Sequence, residues 1–233
     1  MAQRSRTPVV LGIIAGLLFV AVVVALTLLL TRPPAQPSAQ PTDPAPSAPA
    51  PQEPTPPEAS ELRLAASGFT LVADDGSTMH EYTWAGDAAQ AVAALTDAFG
   101  AAPAIDLQEG DRTHYPDYTV YEWDGLLFFD MVEGDGKPRD EYMQPSYLLV
   151  TADAVGDVGI VPEFGLGIGL TADEVRALGP DEEWDERENG WSLSFLFARE
   201  RSSFDDLTYS VIADTGRDGD AVGTITYLMF TGM

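Results

Sequence analysis

Three aspartates near the C-terminus are the residues best suited to hold a metal ion: Asp214, Asp218 and Asp220. Calcium and similar hard cations prefer clustered carboxylate oxygens around a tight turn. The spacing does not match an EF-hand loop, because Gly216 stands at the third position and Ile225 at the twelfth, where a bidentate glutamate is needed. We therefore predict a simple turn between two strands here, and neither a metal ion nor another cofactor.

The densest acidic run, residues 181–188 (DEEWDERE), contains one aromatic residue, Trp184. An exposed tryptophan among carboxylates could stack on a sugar ring or on a cation. Such a run is more typical of a solvated edge strand, whose charges keep it from pairing with other chains. We adopt this second interpretation.

Residues that could carry out catalysis are few. The two histidines lie apart, His80 in the alternating stretch 79–84 and His114 in the polar loop 111–116. The chain has no cysteine, no G-x-S-x-G or H-E-x-x-H motif and no phosphate-binding glycine loop. A carboxylate pair, as used in glycoside hydrolysis, stays open because acids are abundant. We predict that the protein is not an enzyme, with an envelope glycan hydrolase as the alternative.

The charge of the C-terminal part limits its partners. Residues 61–233 contain 34 Asp and Glu against 9 Lys and Arg, so this part carries 9 − 34 = −25, the net charge of the whole chain. Such a domain repels nucleic acid and anionic lipid surfaces, and it attracts cations and proteins with a basic face. Solubility or adaptation to salt is the alternative explanation of the charge. We predict a possible basic protein partner and no nucleic acid.

Two amphipathic helices are predicted in this acidic part. The first begins after Asp87 and stops at Gly100, with Val92, Leu95 and Phe99 on its apolar face. A polar N-cap followed by an apolar stripe and a glycine stop is the usual pattern of a helix packed on a core.

The second predicted helix follows the same pattern. Thr171 and Glu174 form a capping box, Val175 and Leu178 supply the apolar face, and Gly179 ends the helix.

Each helix is followed by a predicted hairpin, with Asp124-Gly125 as the first turn and Asn189-Gly190 as the second. The repeated order suggests two diverged copies of a strand, helix and hairpin unit. We predict an α+β fold, in which an antiparallel sheet packs against both helices, preceded by one transmembrane helix.

The segment 169–180 (GLTADEVRALGP) resembles the helix opening of small envelope modules. It is similar to outer-membrane assembly lipoproteins with two helices and three strands, and to tandem-repeat β-lactamase inhibitory proteins. The resemblance implies a module that binds proteins and catalyses nothing. The lipidated cysteine of the first family and the disulfides of the second have no counterpart here, because the chain lacks cysteine.

The N-terminal part predicts a membrane anchor. Residues 9–30 are uncharged and, at about 1.5 Å per residue, would reach about 33 Å as a helix, enough to cross a bilayer. Arg4 and Arg6 in the tail 1–8 place the N-terminus in the cytoplasm by the positive-inside rule. A cleaved signal peptide is the alternative, but this run is too long and ends at Thr31 without a small-x-small cleavage site.

Residues 31–60 are rich in proline, alanine and serine, which predicts an extended, disordered stalk. Residues 61–233 form the extracytoplasmic domain. The sequence as a whole predicts a single-pass protein of the cell membrane that displays a non-catalytic binding module outside the cytoplasm.

Overall fold

The computed structural model describes residues 57–110, 116–134, 139, 144–185, 187, 192–198, 207–216 and 219–231. These residues all belong to one compact unit that extends from Pro54 to Met233. The predicted anchor, 9–30, and the predicted stalk as far as residue 56 lie outside the described residues. Within the described ranges, no helix is long and apolar enough to cross a membrane.

Strands hold 51% of the described residues and form two sheets. The five-stranded sheet contains β1 (Ala59–Ala65), β2 (Gly68–Ala73), β3 (Thr78–Thr83), β8 (Ala154–Val155) and β9 (Val158–Val161). Its spatial order is β3-β2-β1-β9-β8, and only the β1–β9 pair is parallel.

The eight-stranded sheet consists of two four-stranded meanders joined side by side. The first meander contains β4 (Ala104–Gln108), β5 (Tyr118–Trp123), β6 (Leu126–Met131) and β7 (Ser146–Val150). The second contains β10 (Glu182–Asp185), β11 (Leu193–Phe197), β12 (Leu207–Thr215) and β13 (Val222–Thr231). The spatial order is β10-β11-β12-β13-β7-β6-β5-β4, so β13 and β7 pair in the middle and β10 and β4 are the free edges.

One helix precedes each meander, and both helices begin and end as the sequence predicted. Helix α1 (Ala88–Phe99) starts at Asp87, whose side chain accepts a hydrogen bond from the Ala89 N–H, and ends at Gly100 with a positive φ of 64°. Helix α2 (Ala172–Ala177) has the full capping box of Thr171 and Glu174. These contacts satisfy backbone groups that a helix terminus leaves unpaired.

A single buried cluster combines side chains from both sheets and both helices. The largest members are fully buried, and they include Trp84, Tyr227, Phe128 and Phe195. The rings of Tyr82 and Phe128 meet edge to face at 5.6 Å, so β3 of the smaller sheet contacts β6 of the larger one directly. The alternating apolar side chains of each strand supply this core, as period-two patterning requires.

The predicted α+β class is wrong. The described chain is mostly β, with thirteen strands in two sheets and only two α-helices, of 12 and 6 residues. The predicted unit of strand, helix and hairpin is also too small, because a four-stranded meander of the larger sheet follows each helix. Strand β4 was missed because the link 109–117, which joins it to β5, contains no Asp-Gly or Asn-Gly turn.

The structure describes the turn of one of the two predicted hairpins. Asp124-Gly125 joins β5 to β6, as predicted. Strands β10 and β11 pair antiparallel, with Asp185 opposite Leu193, but Asn189-Gly190 lies outside the described residues.

Candidate functional site

Strand β4, one free edge of the eight-stranded sheet, is the most exposed strand of the described chain. All five of its residues are exposed, and it pairs only with β5. Ile105 is 66% exposed and Leu107 is 54% exposed, the two most exposed large apolar side chains among the described residues. An open edge with aliphatic side chains is where another strand can pair.

The two faces of this edge differ in chemistry. On one face Ile105 lies opposite Tyr121, which packs against the main core, and Leu107 is two residues further along the same face. On the other face Asp106 and Glu122 are both exposed. The edge therefore presents aliphatic groups on one side and carboxylates on the other.

Asp106 also caps the backbone of this edge. Its Oδ1 accepts a hydrogen bond from the Leu107 N–H at 2.8 Å. An amide bound to a side chain in this way is not part of the ladder with β5, so it lies on the outer side of the strand. Because antiparallel strands alternate inward and outward backbone groups, the N–H of Ile105 lies on that outer side as well.

A cavity of about 460 Å³ lies at the C-terminal end of β4. It is lined by Gln108, Glu109, Gly110, Pro116, Tyr118, Gln144 and Tyr147. The rings of Tyr118 and Tyr147 meet edge to face at 5.2 Å, and the Tyr118 O–H donates to the Gln144 carbonyl oxygen at 2.8 Å. Burial raises the pKa of both phenols, that of Tyr147 to about 12, so both remain neutral at ordinary pH. The cavity thus combines aromatic faces with the carboxylate of Glu109, a pairing suited to a cation.

The other free edge, β10, is the predicted acidic run, and residues 182–185 do form an edge strand. Arg176 bonds both carboxylate oxygens of Glu183, at 3.2 and 3.0 Å through Nε. Arg187 pairs with Asp185 at 2.6 Å, and its hydrogen bonds lower the pKa of that carboxyl to about 2. Trp184 is 42% exposed in the middle of this charged strand.

Positive charge in the described ranges is fully engaged. The four arginines there, Arg63, Arg139, Arg176 and Arg187, each form an ion pair with at least one acid. Their charge is therefore compensated locally, and the surplus of acids sets the sign of the surface potential.

Two of the three candidate metal ligands lie among the described residues, and both are engaged by other side chains. Asp214 lies in β12, where it accepts hydrogen bonds from the hydroxyls of Ser192 and Ser194. Asp220 pairs with Arg187 at 3.1 Å, and Asp218 lies outside the described residues. The part of the chain that the structure describes contains no group of three acids or histidines that could hold a metal ion.

Of the two histidines, the described part of the chain contains His80. His80 lies in β3 between two cavities of about 420 and 570 Å³, and its buried Nε2 has no hydrogen-bond partner among the described residues. His114 is outside the described ranges. Trp123 is buried and donates its indole N–H to the Ala101 carbonyl oxygen, so it does not line an open cleft.

A buried polar network connects the first meander to the smaller sheet. The Ser146 hydroxyl donates to the Trp84 carbonyl oxygen and lies 2.9 Å from the Tyr82 hydroxyl. Beside them Arg139 pairs with Asp130 at 2.5 Å. Burial raises the pKa of Asp130, although Arg139 opposes that change.

Sequence reasoning missed the β4 edge. The stretch 104–108 (AIDLQ) alternates apolar and polar residues, which is typical of a strand, but it is short and comes directly after a helix stop.

The chain matches no family model, and neither a curated protein nor a solved structure matches it. The resemblance of residues 169–180 to envelope modules therefore carries no further argument.

Proposed function

We propose that this chain is a single-pass, membrane-anchored binding module of the cell envelope, which recruits a protein partner with a basic face and catalyses no reaction. In this proposal residues 9–30 cross the membrane with the N-terminus in the cytoplasm, and the proline-rich stalk, which ends where β1 begins at Ala59, holds the β domain on the far side. The observation that carries the proposal is the β4 edge, where Ile105 and Leu107 are exposed in a strongly acidic domain.

Charge supports a protein partner over other macromolecules. A net charge of −25, with the described arginines already paired, opposes the approach of nucleic acid and of anionic lipid. Basic proteins experience the opposite force, which raises their association rate and makes it sensitive to salt.

The glycan hydrolase alternative has weaker support. Such an enzyme needs one acid with a raised pKa and a second carboxylate across the scissile bond. Asp130 has the raised pKa, but its carboxylate is already bound by Arg139 and its side chain is only 22% exposed. That arrangement fits a structural ion pair better than a proton donor to substrate.

Capture by the full-length chain tests the proposal. The chain is placed in lipid nanodiscs and exposed to an envelope extract of its own cells, with empty nanodiscs as the control. We expect saturable capture of a protein with a basic surface, released by raising salt as screening weakens exposed charge pairs. The absence of such a partner, or the release of reducing ends from cell-wall glycan by the chain, would contradict the proposal.

Protease treatment of intact cells tests the topology separately. A tag after Met233 should be removed from outside the cytoplasmic membrane, whereas a tag before Met1 should be protected. The reverse pattern would place the acidic domain in the cytoplasm and exclude an envelope role.

A further inference from the structure

We infer that the β4 edge binds an extended segment of a partner protein in which aliphatic and cationic residues alternate, so that the segment becomes a ninth strand of the larger sheet. This inference rests on the proposed function and specifies how its partner is recognised. Three features of β4 support it: its outward backbone groups, the different side chains on its two faces, and the cavity at its C-terminal end.

The backbone of β4 has room for another strand. Among the described residues β4 pairs with β5 on one side only, and the Leu107 N–H lies on the other side. Addition of a strand to such an edge pairs its free N–H and C=O groups in the way used by many peptide-binding domains.

The two faces of the edge specify the pattern of the incoming strand. Its side chains at alternate positions would cover Ile105 and Leu107, which requires aliphatic residues. Those in between would lie beside Asp106, with Glu122 one strand further on the same face, which favours lysine or arginine. A strand of alternating aliphatic and cationic residues satisfies both faces.

Asp106 adds selectivity because it occupies the Leu107 N–H. A neutral strand would have to displace that carboxylate and leave it without a partner. A cationic side chain on the incoming strand can pair with the displaced carboxylate, so the exchange is compensated.

A second copy of this chain is a poor occupant of the edge. Each chain carries −25, and a pair of β4 strands would bring the Asp106 carboxylates of two copies to one shared edge. The cavity beyond the strand, with Glu109 beside Tyr118 and Tyr147, instead suits the basic side chain that would follow the paired segment.

A synthetic peptide tests the inference with the full-length chain in nanodiscs. The probe is a short, end-blocked peptide in which lysine and valine alternate, and its controls have the same composition in two blocks or glutamate in place of lysine. We expect saturable binding of the alternating probe alone. Amide hydrogen exchange at Ile105 and Leu107 should slow when it binds, because both groups gain a partner strand.

Two variants isolate the edge. Ile105→Pro removes an outward N–H while keeping the ladder with β5. It should lower the affinity for the probe about tenfold or more, which is the equivalent of one good hydrogen bond. Asp106→Lys should lower the affinity for the probe at least as much, because the new lysine repels the lysines of the peptide. Asp97→Lys on α1 makes the same change of charge elsewhere and should alter affinity less than about twofold, as expected for a screened distant charge.

The possible results separate the inference from the proposed function. Equal binding of the block peptide, or unchanged binding by Asp106→Lys and Ile105→Pro, would overturn the inference. If the probe does not bind while the full chain still captures a basic partner, the edge is the wrong site and the proposed function stands. If a captured partner is lost with Asp106→Lys but kept with Asp97→Lys, the edge is its binding site.

Discussion

The two edge strands of the eight-stranded sheet both expose unpaired backbone groups, but their side chains differ in character. An edge strand exposes unpaired backbone groups that invite pairing with other chains. At β10 the second meander covers this edge with Glu182, Glu183 and Asp185, and arginines pair with Glu183 and Asp185. At β4 the first meander exposes Ile105 and Leu107 instead. The chain therefore protects one edge by charge and leaves the other open, which is the difference expected if only β4 receives a partner.

The outer faces of the two meanders also differ in polarity. On the first meander Tyr118, Val120, Phe129 and Met131 form a second buried cluster, in which Phe129 stacks on Tyr147 with ring centres 4.1 Å apart. On the second meander Asp214 lies on the corresponding face with Ser192 and Ser194 bound to it. Aromatic groups thus extend to the open edge, and polar groups extend to the protected one.

The largest predicted effects test whether the meanders share one core in spite of these differences. Phe128 in the first and Phe195 in the second are both fully buried, so Phe128→Ala and Phe195→Ala should each destabilise the domain by about 3–5 kcal/mol. Urea unfolding of residues 54–233 should show one transition for each variant. Two separate transitions would mean that the meanders unfold as independent units.

The next effect separates a buried hydroxyl in the first meander from an accessible one in the second. Ser146→Ala removes the serine donor to the Trp84 carbonyl oxygen and leaves the Tyr82 hydroxyl only its weaker 3.4 Å bond to the Gly86 carbonyl oxygen, which should cost about 1–3 kcal/mol. Ser194→Ala removes a bond to Asp214 on the partly buried outer face, where water can replace it, and should cost about 1 kcal/mol or less. Thermal melting distinguishes the two, and a larger loss for Ser194→Ala would contradict the assignment of the buried network.

Sequence could predict those parts of the fold that are encoded by neighbouring residues. The caps at Asp87 and Thr171 were predicted correctly because capping depends on groups two or three residues apart. The pairing of β7 with β13 joins residues far apart in the chain, such as Val150 and Ile225, and no local pattern specifies it. The sheet count and the mostly β class were missed for this reason.

The caps provide the third prediction, one for the helix before each meander. Asp87→Ala and Thr171→Ala should each cost about 1 kcal/mol, because each removes a side-chain acceptor from an N-terminal amide. Asp87→Asn and Thr171→Ser keep an acceptor and serve as controls in thermal melting. Alanine variants that melt like their controls would show that these bonds contribute nothing to stability.

The candidate site could be predicted only in part. The acidic surplus and the charged edge at 182–185 follow from composition and local pattern. The position of β4 at an edge follows from the strand order of the whole sheet, which no local pattern encodes. The same holds for Asp214 and Asp220, since the serines and the arginine that engage their carboxylates come from other segments.

The smallest effect is a difference in acid titration between the two meanders. Burial raises the pKa of Asp130 above its ordinary value of 3.8, whereas hydrogen bonds from Arg187 lower that of Asp185 to about 2. The raised pKa of Asp130 contributes stability that is present below 3.8 and lost as pH rises through the pKa of the folded state. The lowered pKa of Asp185 contributes stability that is present above 3.8 and lost as pH falls towards 2. Acidification should therefore loosen the β10 edge while the Asp130 site remains intact.

Carboxyl-carbon NMR titration of residues 54–233 checks this difference directly. The Asp130 midpoint should lie above 3.8 and the Asp185 midpoint well below it. In Arg187→Gln the Asp185 midpoint should return towards its ordinary value, because the hydrogen bonds that lower its pKa are gone. In Arg139→Gln the Asp130 midpoint should rise further, since Arg139 is the group that opposes the effect of burial. An Asp185 midpoint equal to or above that of Asp130 would mean that the ion pair at the protected edge does not persist in solution, and the contrast between the two edges would then rest on side-chain composition alone.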